Sequence, residues 1–146
     1  MVKMVDISDK EDVNRTAVAE GKIKLKDRSL KAIKEGKVKK GDVISASQLA
    51  GIQAAKDTSR LLPFCHQIPL TSVDVRIKAV SGAISVRTTV TANYKTGVEM
   101  EALAGTAAAL LNIWDMVKYL EKDKDGQYPV AEISGIKVLR KTKEEH

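Results

Sequence analysis

The chain predicts an α+β fold, an antiparallel sheet covered on one face by helices. Three observations lead there. The segments LTSVDVRIKAV and AISVRTTVTANY alternate polar with apolar residues and flank Ser81-Gly82, which marks a hairpin. Residues 95–118, KTGVEMEALAGTAAALLNIWDMVK, repeat their apolar positions at helical spacing. After the charged turn EKDKDGQ, the segment VAEISGIKVLRK returns to strand character. Helices, hairpin, long helix and final strand in that order suggest a ferredoxin-like arrangement.

Each element has its own warrant. Residues 15–25, RTAVAEGKIKL, alternate in part and carry β-branched residues, which suits a strand or an extended arm. Asp27 stands at an N-cap position ahead of a short helix, RSLKAIKEG, that ends at Gly36. Asp42 caps a second helix, VISASQLAGIQAAKDTSRLL, in which Gly51 is a weak point. Pro63 and Pro69 bracket a stiff loop, PFCHQIP. In the long helix Thr96 and Glu99 have the T-x-x-E spacing of a capping box. There Leu103, Ala107, Leu110, Leu111, Trp114 and Val117 mark a buried side.

A neighbouring stripe of that helix carries charge. Glu101, Ala104, Ala108, Leu111, Asp115 and Lys118 step by three or four and line up along the axis. The stripe is small and apolar in the middle, with a carboxylate at one end and an Asp–Lys pair at the other. Such a pair is either a surface contact worth ~0.2–0.5 kcal/mol or a desolvated proton-transfer pair with tuned pKa values. Glu101 and Asp115 stand ~21 Å apart along the axis, too far for one small substrate to touch both. Two such helices packed antiparallel across a two-fold would bring Glu101 of one to Asp115 of the other. Gly105 and Ala104, Ala107, Ala108 and Ala109 would let them approach closely. A site shared between subunits is therefore expected.

The 146 residues suit one domain, 1–146, with a real core. No apolar run approaches the ~20 residues of a membrane-spanning helix, and the N-terminus lacks a signal-peptide apolar region. One cysteine rules out an internal disulfide framework and points to a reducing compartment, the cytoplasm. The net charge of +6 is concentrated early: residues 1–40 hold twelve Lys/Arg against seven Asp/Glu, the remainder thirteen against twelve. Such an excess meets nucleic acid, a membrane surface or a phosphorylated metabolite, or simply keeps the surface soluble. Aromatic content of 3% argues against an RNA-stacking sheet.

Three further places invite chemistry. Lys40 precedes Gly41 and the cap Asp42, where a helix start offers N–H groups to an anion; K-K-G-D is also a common solvated turn. In the loop Phe64-Cys65-His66, adjacent residues are poorly placed for a catalytic dyad. The other histidine is His146 at the terminus, so a His/Cys zinc set of the kind a GTP cyclohydrolase-like enzyme needs is incomplete. His66 fits a hydrogen-bonding or phosphate-binding role, and Cys65 a buried structural one. Arg15 stands alone among small and apolar residues; it is either a surface arginine or a bidentate phosphate binder.

Taken in order, MVDIS at 4–8, KKGDV at 39–43, AGIQAAKDTSRLLPFCH at 50–66, KTGVEMEALAGTAAA at 95–109 and WDMVK at 114–118 resemble the MoaC-type cyclic pyranopterin monophosphate synthases of molybdenum-cofactor biosynthesis. The resemblance covers nearly the whole chain. It implies a lyase that follows a radical GTP-cyclising enzyme. Such an enzyme converts 3',8-cyclo-7,8-dihydro-GTP into cyclic pyranopterin monophosphate with loss of pyrophosphate, and no redox cofactor or metal is expected. It places catalytic roles on Asp115, Lys118 and Lys40, and substrate contacts on Phe64, Cys65, His66, Met100, Glu101 and Arg15. It further implies a ferredoxin-like subunit in a hexamer, a trimer of dimers, with its active site at a subunit interface. Gln67, Trp114 and Val117 depart from residues common in the family, and the short tail from Lys141 onward is given no substrate contact.

Overall fold

Strands form where β-branched residues alternate. The computed structural model describes residues 1–144. Its elements are β1 (Val13–Lys24), α1 (Asp27–Glu35), α2 (Val43–Lys56), α3 (Thr58–Leu61), β2 (Ser72–Val80), β3 (Ala83–Tyr94), α4 (Glu99–Glu121) and β4 (Glu132–Glu144). The four strands make one sheet in the order β2-β3-β1-β4, every neighbouring pair antiparallel. That is the ferredoxin-like order expected from the sequence, with each helical connection crossing over a strand.

The hairpin turns on Gly82 at φ 70°, a left-handed conformation that glycine adopts without steric cost, and Val80 then pairs with Ala83. On the helix-facing side β1 buries Ala17, Ala19 and Ile23, and β3 buries Ile84, Val86, Thr88, Val90 and Ala92. α4 lies on β1, β3 and β4, and α2 on β2. Along β4 the pairing with β1 shifts twice, between Val18 and Ala19 and between Glu20 and Lys22. Each shift is a bulge that moves the following β4 residues to the other face of the sheet.

The two main helices meet through small residues. α2 buries Val43, Ser47, Gly51 and Ala55, a row spaced by four. A Cβ at Gly51 would lie 3.0 Å from the Gly105 carbonyl oxygen, and one at Gly105 would lie 3.0 Å from Thr88 Cγ2. Gly51 is thus a contact point rather than a mere weakness of the helix. Gly105 and Ala109 are buried within their own chain, not held open for a neighbour; Ala104, Ala107 and Ala108 stay half-buried.

Four local expectations are corrected. Asp27 is the first residue of α1 and not its cap; Lys26 holds that place without a side-chain bond. The buried Glu121 of α4 serves the helix start instead, accepting the Lys26 N–H at 3.0 Å and the Ser29 hydroxyl. The second helix breaks at Asp57, whose N–H closes on the Gln53 carbonyl before the short α3 begins. The T-x-x-E capping box does not form: α4 starts after Val98 with no side-chain cap, and Glu99 folds back over Gly97. Finally, α4 buries Ala102, Gly105, Thr106, Ala109, Leu110, Ile113, Met116 and Val117, whereas Leu103, Ala107 and Trp114 are half-buried and Leu111 is 61% exposed. Leu110 and Val117 are buried as expected, but close packing on α2 places Gly105 at the crossing and turns Leu103, Leu111 and Trp114 away from it.

Candidate active site

The C-terminal half of α4 presents Asp115 and Lys118 on one face. Asp42, accepting the Ser45 N–H at 3.0 Å, starts α2 and fixes the end of the loop that carries Lys40. Lys40 reaches across to α4, its Nζ 3.0 Å from Asp115 Oδ2 and 3.2 Å from the Asp115 carbonyl oxygen. Lys118 Nζ lies 3.2 Å from Asp115 Oδ1. Each carboxylate oxygen therefore faces its own ammonium. The hydrogen bond from Lys40, then that from Lys118, hold the Asp115 carboxyl below its usual range. The Asp115 side chain is 54% exposed, so within the single chain the pair is the exposed one of the two alternatives. Beside the cluster Leu111, Trp114 and Ile133 complete an apolar concavity of about 350 Å³.

The other end of α4 gathers the second set. Phe64, Cys65, His66 and Met100 line a cleft of about 480 Å³ together with Thr96 and Gly97. Beneath it the buried Glu101 accepts from the Cys65 thiol at 3.8 Å. Burial raises the Glu101 carboxyl, and burial with the adjacent carboxylate pushes the Cys65 thiol up. Cys65 is only half-buried, which corrects its reading as a buried structural residue. The His66 ring Nε2 lies 2.6 Å from the Val5 carbonyl oxygen of the N-terminal segment. A carbonyl oxygen only accepts, so the ring donates there from Nε2, which leaves Nδ1 as the second polar position.

A third cleft, of about 320 Å³, adjoins this one through Thr96, Gly97 and Glu99. Arg15 lines it, its Nε and Nη2 donating to the Tyr94 and Lys95 carbonyl oxygens at 3.0 and 3.3 Å. Lys10, Lys141 and Lys143 line it as well. Lys143 pairs with Arg15 and Lys141 with Ala17 across β1–β4, so both lysines stand on the helix-facing side.

The residues foreseen from the sequence thus fall into two groups on one chain. Lys40, Asp115 and Lys118 meet at the end of α4; Phe64, Cys65, His66, Met100, Glu101 and Arg15 surround its start. Sequence reasoning passed over Lys10, Lys141 and Lys143, and set the tail aside. The i, i+2 spacing of Lys141 and Lys143 in a strand was the available signal. Among the described residues no three His, Cys, Asp or Glu side chains gather as a metal site, and His146 lies outside those residues. No helix among them is long and apolar enough to cross a membrane.

The chain is similar to known proteins along nearly its whole length. The chain is 58% identical over 142 residues to a protein of Saccharolobus solfataricus named probable cyclic pyranopterin monophosphate synthase, covering 97% of this chain and 95% of the relative. Proteins of the same name from Pyrococcus furiosus and Thermococcus onnurineus are each 54% identical over 144 residues, covering 99% of this chain and 92% of theirs. The family profile described as MoaC family matches residues 4–144. From the MVDIS motif to the end of β4, the chain belongs to the MoaC family.

Proposed function

We propose that this protein is a cyclic pyranopterin monophosphate synthase, a lyase of molybdenum-cofactor biosynthesis. It acts after a radical GTP-cyclising enzyme and converts 3',8-cyclo-7,8-dihydro-GTP into cyclic pyranopterin monophosphate and pyrophosphate. The observation that carries the reading is the Lys40–Asp115–Lys118 cluster. An ionised carboxylate flanked by two ammoniums offers a proton acceptor and two donors within 3.2 Å. The relatives' shared name supports the same conclusion.

The substrate's triphosphate calls for several cations in one place. Arg15, Lys10, Lys141 and Lys143 supply them around a single cleft, and the adjoining cleft of Phe64, Cys65, His66 and Met100 suits the ring system. Asp115 and Lys118 take and return the protons of ring opening and reclosure. A sugar hydroxyl attacks the first phosphorus, the bond to the departing pyrophosphate breaks, and Lys40 stabilises the charge that develops.

The two residue groups lie at opposite ends of α4, so the complete site takes one group from each of two subunits. The working form is a homo-oligomer, a hexamer built as a trimer of dimers. The exposed Leu111 and its apolar concavity beside Asp115 support a neighbouring subunit covering that end. Such a neighbour would also desolvate Asp115. The single cysteine is a free thiol, which suits a reducing cytoplasm. The chain works as one domain. The test is direct: incubation with the cyclised GTP intermediate releases pyrophosphate and yields a product that becomes a fluorescent pterin on oxidation. Absence of both products from a folded preparation overturns the assignment.

A further inference from the structure

Tyr119 takes no part in the motifs or in the reaction as described above. It lies one turn beyond Asp115 on the same face of α4. Its hydroxyl accepts the backbone N–H of Lys39 at 2.9 Å, and the Lys39 ammonium sits 5.1 Å from the centre of its ring. Lys39 is the residue before Lys40. The two form the middle of a turn closed by the Gly41 N–H on the Val38 carbonyl oxygen at 3.1 Å. Gly41, at φ 118°, ends that turn in a conformation other residues resist.

α1 itself is tied to α4 elsewhere. Glu121 takes Lys26 and Ser29 at the start of α1, and Arg28 donates to the Leu120 and Lys122 carbonyl oxygens. Those bonds hold the opposite end of the helix. The Asp42 cap holds the end of the Val38–Gly41 turn on α2, and the buried Val38 side chain and the Tyr119 hydroxyl anchor the turn itself. A lysine side chain is long and flexible, and that of Lys40 is 46% exposed, so its reach to Asp115 depends on where the turn is held.

We propose that Tyr119 is a positioning residue: its hydroxyl fixes the turn that brings Lys40 onto Asp115. This rests on the reading of Lys40 and Asp115 as reacting groups, and the experiment separates the two. Tyr119→Phe removes the hydroxyl and keeps the ring with its stacked ammonium, so the fold is retained. In the full-length oligomer labelled with 13C at aspartate carboxyls, the Asp115 signal is assigned by its loss in Asp115→Asn. Its titration is then followed in wild type, Tyr119→Phe and Lys40→Ala.

The Asp115 carboxyl titrates at higher pH in Tyr119→Phe than in wild type, part of the way to its position in Lys40→Ala. In steady state, kcat falls about tenfold while KM stays within about twofold, because the phosphate cleft is untouched. A Tyr119→Phe titration that coincides with wild type overturns the proposal. A raised titration with undiminished kcat supports the positioning of Lys40 and overturns instead its reading as a participant in the reaction.

Discussion

Lys40 Nζ stands 3.0 Å from Asp115 Oδ2 across 75 residues of sequence. Lys118, on the same helix as Asp115, takes the other oxygen at 3.2 Å. These are exposed pairs, and exposed pairs add little to stability. Under the proposed function their significance is chemical: two cations favour the ionised carboxylate and place donors on both sides of it.

Asp115→Asn keeps size and removes the charge and the proton acceptor. Pyrophosphate release falls by at least about a hundredfold, with unchanged circular dichroism and melting temperature. Because Lys40 and Lys118 lower the Asp115 pKa, the carboxylate is present above the ordinary carboxylate pKa and is lost as pH falls through the depressed value. The acid limb of kcat/KM therefore lies below the usual carboxylate range. In the residual activity of Lys40→Ala it moves to higher pH. Near-wild-type turnover by Asp115→Asn would remove this residue from the mechanism.

If the Arg15 cleft takes the triphosphate, it is expected to bind pyrophosphate in the absence of substrate. Lys141→Ala weakens that binding about tenfold by calorimetry, the scale of one charge-assisted hydrogen bond, and added salt weakens the wild type. Lys137, which pairs with Glu20 on the other side of β1, serves as the control, and its alanine variant binds as the wild type does. Equal losses at both positions would mean a diffuse surface charge rather than a site.

Burial and the neighbouring carboxylate both raise the Cys65 thiol. Glu101→Gln removes the second cause, so the thiol titrates lower and iodoacetamide alkylates it faster at a fixed pH. Glu101 itself has a raised pKa in the fold. Its neutral form is favoured, so it costs nothing below the unfolded value and costs progressively more as pH rises through the folded one. Glu101→Gln is therefore more stable than wild type at neutral pH, and the difference closes in acid. Unchanged alkylation would dissociate Cys65 from Glu101.

Gly51→Ala gains helix propensity of up to ~1 kcal/mol but forces a methyl to 3.0 Å from both the Gly105 carbonyl oxygen and Val75 Cγ2. Overpacking of this kind costs about 1–3 kcal/mol, so the net effect is loss. The urea midpoint falls; a rise would mean that α2 and α4 separate without penalty.

Glu101 and Asp115 stand ~21 Å apart along α4, and a shared site predicts complementation between inactive variants. Glu101→Ala and Asp115→Asn proteins are mixed under conditions that exchange subunits. Half the dimers are then mixed, each with one intact site of two, so activity returns to roughly a quarter of wild type. No recovery despite proven exchange would place both residues in a site drawn from one chain, or remove Glu101 from the site.

Most elements and their kinds were legible in the chain, although β1 stayed open between a strand and an extended arm and α3 was merged with α2. Alternation in SVDVRIKAV and AISVRTTVTANY forces a half-buried hairpin, because a period of two suits a pleated strand and no helix. Glycines at 36 and 82 end α1 and turn the hairpin for the same local reason, their positive φ. The motifs named most of the candidate residues. Tertiary structure decided what no local pattern carries. The centre of the buried face of α4 was misjudged, because an alanine-rich helix shows no sharp apolar maximum and the crossing with α2 sets its rotation through Gly51 and Gly105. Helix starts were misjudged where a distant side chain, Glu121, serves Lys26 and Ser29. Lys141 and Lys143 came to Arg15 because bulges on β4 shift the register with β1, and a shift of one residue exchanges the faces of a strand. The contact of Lys40 with Asp115 likewise exists only once the turn before α2 is laid on α4, since residues far apart in sequence meet through packing and not through periodicity.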